Sequence, residues 1–95
     1  MYEEKKKGIG NVLKSLRLIR DLSVKELADK MDSSSTYICD VESNRKSPSL
    51  KMLNRFSEAL NVNCSTLLFF NEQSKENNYN HQKMLIDILR FLEEK

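Results

Sequence analysis

Apolar residues recur along most of the chain in short groups at helical spacing. Ile9, Val12, Leu13 and Leu16 stand at i, i+3, i+4 and i+7, the stripe of an amphipathic helix. They predict a first helix that ends near Arg20. Asp21-Leu22 makes a short turn. Ser23 and Glu26 then form an S-x-x-E capping box before the apolar pair Leu27-Ala28. In such a box each side chain satisfies a backbone N–H that the helix start leaves open, so a second helix is predicted from Val24 to Met31. The DSSS stretch at 32–35 supplies a turn and an N-cap. A third helix turns Ile38 and Val41 inward and ends between Glu42 and Asn44, because Asn tolerates the left-handed backbone that a helix C-terminus often needs.

RKSPS, residues 45–49, is the next break. Pro48 suits the first turn of a helix, with Ser47 or Ser49 as its cap. Leu50, Leu53, Phe56, Ala59 and Leu60 mark a fourth helix, which Asn61 stops. Asn63 caps a short fifth helix that buries Leu67, Leu68 and Phe69 or Phe70. Residues 71–80, NEQSKENNYN, are polar and without period, and read as a linker. A sixth helix, from His81 to Glu94, carries Met84, Leu85, Ile88, Leu89, Phe91 and Leu92, an apolar face too wide to be left in water. The organisation expected is a charged arm (1–8), a helical domain (9–70), a linker (71–80) and an amphipathic C-terminal helix (81–95).

Composition narrows the class. Ninety-five residues suffice for one helical core with an appendage. Two Gly and one Pro, with scattered β-branched residues, favour an all-α fold over a sandwich or barrel. No apolar run approaches the ~20 residues that span a bilayer, and MYEEKKKGIG holds no apolar signal region; a cytoplasmic protein with no membrane partner is expected. The net charge of +2 says little by itself. What matters is where the charges sit, and the basic clusters are Lys5–Lys7 and Arg45-Lys46.

Cys39 and Cys64 do not make a disulfide framework. With His81, the single histidine, they do not make a four-ligand zinc site either, so no metal and no cofactor is expected. Both cysteines read as small hydrophobes at helix positions. There is no Gly-rich phosphate loop and no Cys–His set. The pairs Glu3-Glu4 and Glu93-Glu94 lie at the polar ends, where charges are solvated. No enzyme is expected, and a binding module remains.

Two short helices joined by a tight serine-rich turn, inside a helical bundle, have the geometry of a helix-turn-helix, although short bundles also serve as protein-binding modules. The segments IGNVLKSLR, LSVKELADKM, SSSTYICDVE and SNRKSPSLKMLNRFSEALNVN, in this order between residues 9 and 70, resemble the lambda-repressor/Cro-type (XRE) helix-turn-helix family. The resemblance implies a five-helix lambda-repressor-like DNA-binding domain, here with an additional C-terminal helix. Asp21, Asp32 and Asn44 stand where the family often has Gly, which their tolerance of turn geometry permits. Val24 stands where the family usually has a Gln that often touches phosphate, so the resemblance does not carry that contact over to this chain.

The resemblance also implies roles. Ser35 and Thr36, at the front of the third helix, and Asp40, one turn on, occupy positions that reach base edges. The alternatives are that Ser35 only caps the helix and that Asp40 is a solvated charge. Ser34 and Tyr37 touch the sugar-phosphate backbone; Arg45 and Lys46 sit over phosphate, and Asn44 belongs to the same DNA-binding set. Lys5, Lys6 and Lys7 form an arm along the DNA or a solvated terminus. Arg17 and Glu42 occupy positions of a partly buried ion pair that sets the angle of the recognition helix. The sixth helix, through Met84, Leu85, Ile88, Leu89, Phe91 and Leu92, pairs two copies as a homodimer, docks on its own domain near Leu18 and Ile19, or holds a protein partner. The function implied is sequence-specific binding of double-stranded DNA by a bacterial or phage transcriptional regulator of repressor type. The alternative is a protein-interaction module on the same scaffold, such as an antitoxin.

Overall fold

In the computed structural model, which describes residues 8–73 and 81–93, the chain forms six α-helices: α1 (Gly10–Ile19), α2 (Val24–Lys30), α3 (Ser35–Glu42), α4 (Leu50–Leu60), α5 (Cys64–Gln73) and α6 (His81–Glu93). No strand occurs among the described residues. Arm residues 1–7 and linker residues 74–80 lie outside them. The helix α5 runs on to Gln73, so the first residues read as linker are its last turn.

Each boundary has a local cause. The Ser23 hydroxyl accepts from the Glu26 N–H at 3.0 Å while the Ser23 N–H donates to Glu26 Oε1 at 2.8 Å, a complete capping box that starts α2. Ser34 and Ser49 cap α3 and α4 the same way, accepting from the N–H groups of Tyr37 and Met52. Pro48 therefore precedes the cap of α4 instead of sitting in its first turn. Asn63 stands just before α5, and its carbonyl accepts from Leu67 N at 3.3 Å.

The turns are closed by left-handed residues, none of which is glycine. Asp21, Asp32, Asn44 and Asn61 have φ of 59°, 55°, 65° and 59°. Asp and Asn are the side-chain-bearing residues that enter this region most readily. Two arginines hold the carbonyl-rich ends of helices. Arg20 donates to the carbonyls of Leu60 (2.8 Å) and Asn61 (3.0 Å) at the end of α4, and Arg55 donates to that of Met31 (3.3 Å) at the end of α2. A cation there also complements the helix dipole.

The core is one cluster. Val12, Leu13 and Leu16 of α1 meet Leu27, Ile38, Val41, Phe56, Leu60 and Leu67, all fully buried. Thr66, Leu67 and Phe70 are the buried residues of α5, whereas Leu68 and Phe69 are exposed. The sixth helix packs on α1. Met84 and Ile88 join the core, the buried Ser15 hydroxyl faces the Met84 sulfur at 4.0 Å, and Phe91 meets Phe70 edge-on with ring centres 5.8 Å apart.

That docking divides the apolar face of α6. Met84 and Ile88 are used inside the chain and are not available to a second copy. Leu92 is partly buried against the core. Leu85 is half-buried, while Ile86, Leu89 and Phe91 are exposed. No helix among the described residues is long and apolar enough to cross a membrane.

Candidate nucleic-acid interface

Helix α3 is a short rod with two different sides. Ile38, Val41 and Glu42 point inward. Ser35, Thr36 and Cys39 are exposed, and Asp40 is half-buried. Because residues four apart share a helix face, Ser35 lies above Cys39 and Thr36 above Asp40. Ser34 is the N-cap, so Ser35 is the first helical residue and not the cap. Capping uses the acceptor side of the Ser34 hydroxyl and leaves its O–H to donate.

The inward side fixes the rod at its C-terminal end. Arg17 Nε donates to Glu42 Oε2 at 2.7 Å and Arg17 Nη2 to Oε1 at 3.1 Å, a bidentate pair. The third donor, Arg17 Nη1, reaches the Leu22 carbonyl at 2.9 Å. One guanidinium thus ties α1, the α1–α2 turn and α3 together. Both side chains are more than nine-tenths buried, so neither tolerates loss of the other.

A second tie lies nearby. The Asn44 side-chain oxygen accepts from the Gly10 N–H at 3.0 Å, one of the donors that the start of α1 leaves open. The backbones are close here. A Cβ on Gly10 would sit 2.5 Å from the carbonyls of Val41 and Glu42, so only glycine fits. Asn44, expected among the DNA-binding residues, thus turns its side-chain oxygen inward, where its left-handed φ places it.

The loop after α3 carries the basic pair. Arg45 and Lys46 are exposed. Their backbone N–H groups both donate to the Asp40 carbonyl, at 2.8 and 3.1 Å. Arg45 Nε lies 3.2 Å from Asp40 Oδ1 and Lys46 Nζ lies 3.8 Å from Oδ2. The Lys46 ammonium also sits 5.8 Å above the Tyr37 ring, within cation–π range. That ring stacks on the buried Phe56. Burial pushes the Tyr37 phenol above its ordinary value, so it remains a neutral donor.

The structure brings Ser34, Ser35, Thr36, Tyr37, Arg45 and Lys46 together around one end and one side of α3. Asp40 belongs to the same cluster as the counter-ion of its own loop, an arrangement that sequence reasoning did not anticipate. Cys39, read as a small hydrophobe, is on the outward face instead. Its spacing of four from Ser35 was the available signal. Val24, which replaces the family's Gln, packs against the core and offers no polar contact. The basic arm Lys5–Lys7 lies outside the described residues. Among those described, no group of His, Cys, Asp and Glu is placed to hold a metal ion.

A helix-turn-helix family model matches residues 13–67, which cover α2, the turn, α3 and α4 with parts of α1 and α5. The chain belongs to the XRE-type helix-turn-helix family. This helix-turn-helix protein is 31% identical over 90 residues to the immunity repressor protein of Bacillus phage phi105, covering 90% of this chain and 60% of that one. It is 33% identical over 61 residues to the ImmF control region 10 kDa protein of the same phage, covering 64% of this chain and 68% of that one. The chain therefore spans 60% of the length of the immunity repressor. The crystal structure of the clp gene regulator ClgR from C. glutamicum superposes with a TM-score of 0.72 over 81% of this chain and 100% of that chain, at 23% identity. At that identity the likeness shows a shared fold.

Proposed function

We propose that this helix-turn-helix protein is a sequence-specific DNA-binding transcriptional regulator, acting as a repressor through α3 in the major groove. The carrying observation is the outward face of α3. It is polar and capped, it is held at its far end by the Arg17–Glu42 pair, and it is flanked by the cationic Arg45-Lys46 loop. A B-form major groove about 12 Å wide admits such a helix. Ser35 and Thr36 then face base edges, while Ser34, Tyr37, Arg45 and Lys46 face sugar and phosphate, which position the helix without reading sequence. The repressor assignment draws on the likeness to the phage immunity repressor.

A dimer fits this reading. Hydroxyls at the front of α3 discriminate bases weakly, so two copies on half-sites about one helical turn apart bind better than one. The outer face of α6, with Leu85, Ile86 and Leu89, is the surface we assign to the second copy. A different protein on that face is the competing reading, and self-association of the purified chain decides between them.

The test of DNA binding is selection from random duplexes followed by titration of variants. Arg45→Ala or Lys46→Ala is expected to weaken binding similarly across sequences and to flatten the log–log salt slope by about 0.9 for each phosphate no longer neutralised. Ser35→Ala or Thr36→Ala is expected to change which bases are preferred. If all four bind the selected duplex like wild type, the interface is elsewhere.

A further inference from the structure

The carboxylate of Asp40 assigns one oxygen to each cation of the following loop, Oδ1 to Arg45 and Oδ2 to Lys46. Its side chain is only 20% exposed, whereas those of Arg45 and Lys46 are 68% and 56% exposed. The anion is covered by its cations, and the cations keep their far sides open. The backbone repeats the pattern. The Asp40 carbonyl accepts from the N–H groups of Arg45 and Lys46 and, at 3.3 Å, from the Ser43 hydroxyl, so the whole loop folds back onto one residue.

Two properties of Asp40 conflict with simple base reading. In the free protein its carboxylate oxygens are already engaged. Its charge also lies beside the exposed Arg45 and Lys46, where a free anion repels DNA. Both are resolved if the carboxylate occupies the place that a DNA phosphate takes in the complex. Arg45 and Lys46 are then prearranged around an anion site before DNA arrives, which shortens the search for their bound geometry. Exposed ion pairs are weak, and DNA offers a denser line of anions, so the duplex displaces the carboxylate at a moderate cost.

We propose that Asp40 is an internal stand-in for a DNA phosphate: it holds Arg45 and Lys46 in the free protein and competes with the duplex for them, damping affinity alike for all sequences. This rests on the DNA-binding reading above. Asp40 acts through the two cations and is a positioning residue.

The test uses the full chain and two labelled duplexes of about 20 base pairs, long enough for two half-sites: one selected from random sequence and one of arbitrary mixed sequence. Asp40→Asn is expected to tighten both by a similar factor, about three- to tenfold, and to steepen the salt slope by up to about 0.9 per cation set free. Asp40→Glu, which keeps the anion, is expected to stay near wild type. In an Arg45→Ala/Lys46→Ala background the gain from Asp40→Asn is expected to vanish, since coupled residues are not additive. An undiminished gain in that background makes Asp40 a mere bulk charge and overturns the proposal. Loss of affinity for the selected duplex alone makes it a base reader and overturns it too. Wild type binding neither duplex at low salt overturns the DNA reading itself. Holding of the cations is then measured without DNA, as slower solvent exchange of the Arg45 Nε–H in wild type than in Asp40→Asn. Equal exchange rejects it.

Discussion

The two ends of the molecule are held together by different forces. At the α2–α3 end, polar groups fix the geometry: serine caps start both helices, a bidentate ion pair holds the end of α3, and Asn44 ties the following turn to α1. At the α5–α6 end, apolar side chains do the burying. Met84 and Ile88 are buried, Phe70 and Phe91 touch edge-on, and the Ser15 hydroxyl of α1 faces a thioether sulfur. Hydrogen bonds and bidentate pairs have preferred directions, whereas apolar burial is roughly proportional to area and has none. The first kind suits a helix whose orientation must match a groove. The second suits a helix that needs only to be covered, and α6 still exposes Ile86 and Leu89.

The contrast is broken most severely at Glu42. Glu42→Ala leaves the buried Arg17 guanidinium unmatched, which costs roughly 3–5 kcal/mol. A fall of well over 10 °C in melting temperature is expected, at about 4–8 °C per kcal/mol for a domain of this size. Replacing Arg17 and Glu42 together by Met and Leu is expected to restore much of that stability, while DNA affinity stays low because the direction is lost. An unchanged melting curve for Glu42→Ala removes the polar half of the comparison.

Ile88→Ala comes next. It opens a cavity between α6 and the core, and substitutions of this kind cost about 2–5 kcal/mol. Local undocking of α6 limits the loss to the lower part of that range. Hydrogen exchange locates the effect: the amides of α6 are expected to lose protection while those of α2 and α3 keep theirs. Uniform loss across all six helices makes the two ends a single cooperative unit.

Ser34→Ala is expected to cost about 1 kcal/mol, the usual effect of removing an N-cap, seen as a few degrees in melting temperature. It also removes a donor that the proposed interface turns toward the DNA backbone, so affinity is expected to fall for all sequences together. A selective change in base preference places Ser34 among the reading residues instead.

Leu89→Lys is the mildest for stability. It lies on the outer face of α6, and surface changes away from special contacts are usually within about 0.5 kcal/mol. Sedimentation equilibrium is expected to show wild type self-associating at tens of micromolar, roughly the range set by a micromolar-scale affinity, and Leu89→Lys remaining a monomer. A monomeric wild type at that concentration removes the second copy from α6 and leaves the face to a different protein.

Much of the fold was legible along the chain because its signals are local. The 3.6-residue stripe of α1, the Ser23–Glu26 box and the four Asp or Asn residues in left-handed turns each depend on neighbours a few positions away. Positions 17 and 42 were named only through the family motif, since nothing near either residue marks a partner 25 positions off. Local patterning also assigned an inward Ile38 and Val41, which left the remaining side of α3 to face outward.

What the chain could not show alone concerns long-range choice. The apolar face of α6 offered six candidates for burial, and packing against α1 selected Met84 and Ile88. Asn44 fitted a DNA-facing turn until the closeness of Gly10 gave its side-chain oxygen an acceptor role inside the fold. Asp40 read as a base contact or a solvated charge, because whether a carboxylate turns to its own loop depends on where that loop returns in space. Where helices start, stop and turn was written locally along the chain, as caps and periodicity act over one or two turns of backbone. Which of several chemically equivalent side chains are consumed inside the molecule came from packing, because that depends on which surfaces meet and how closely.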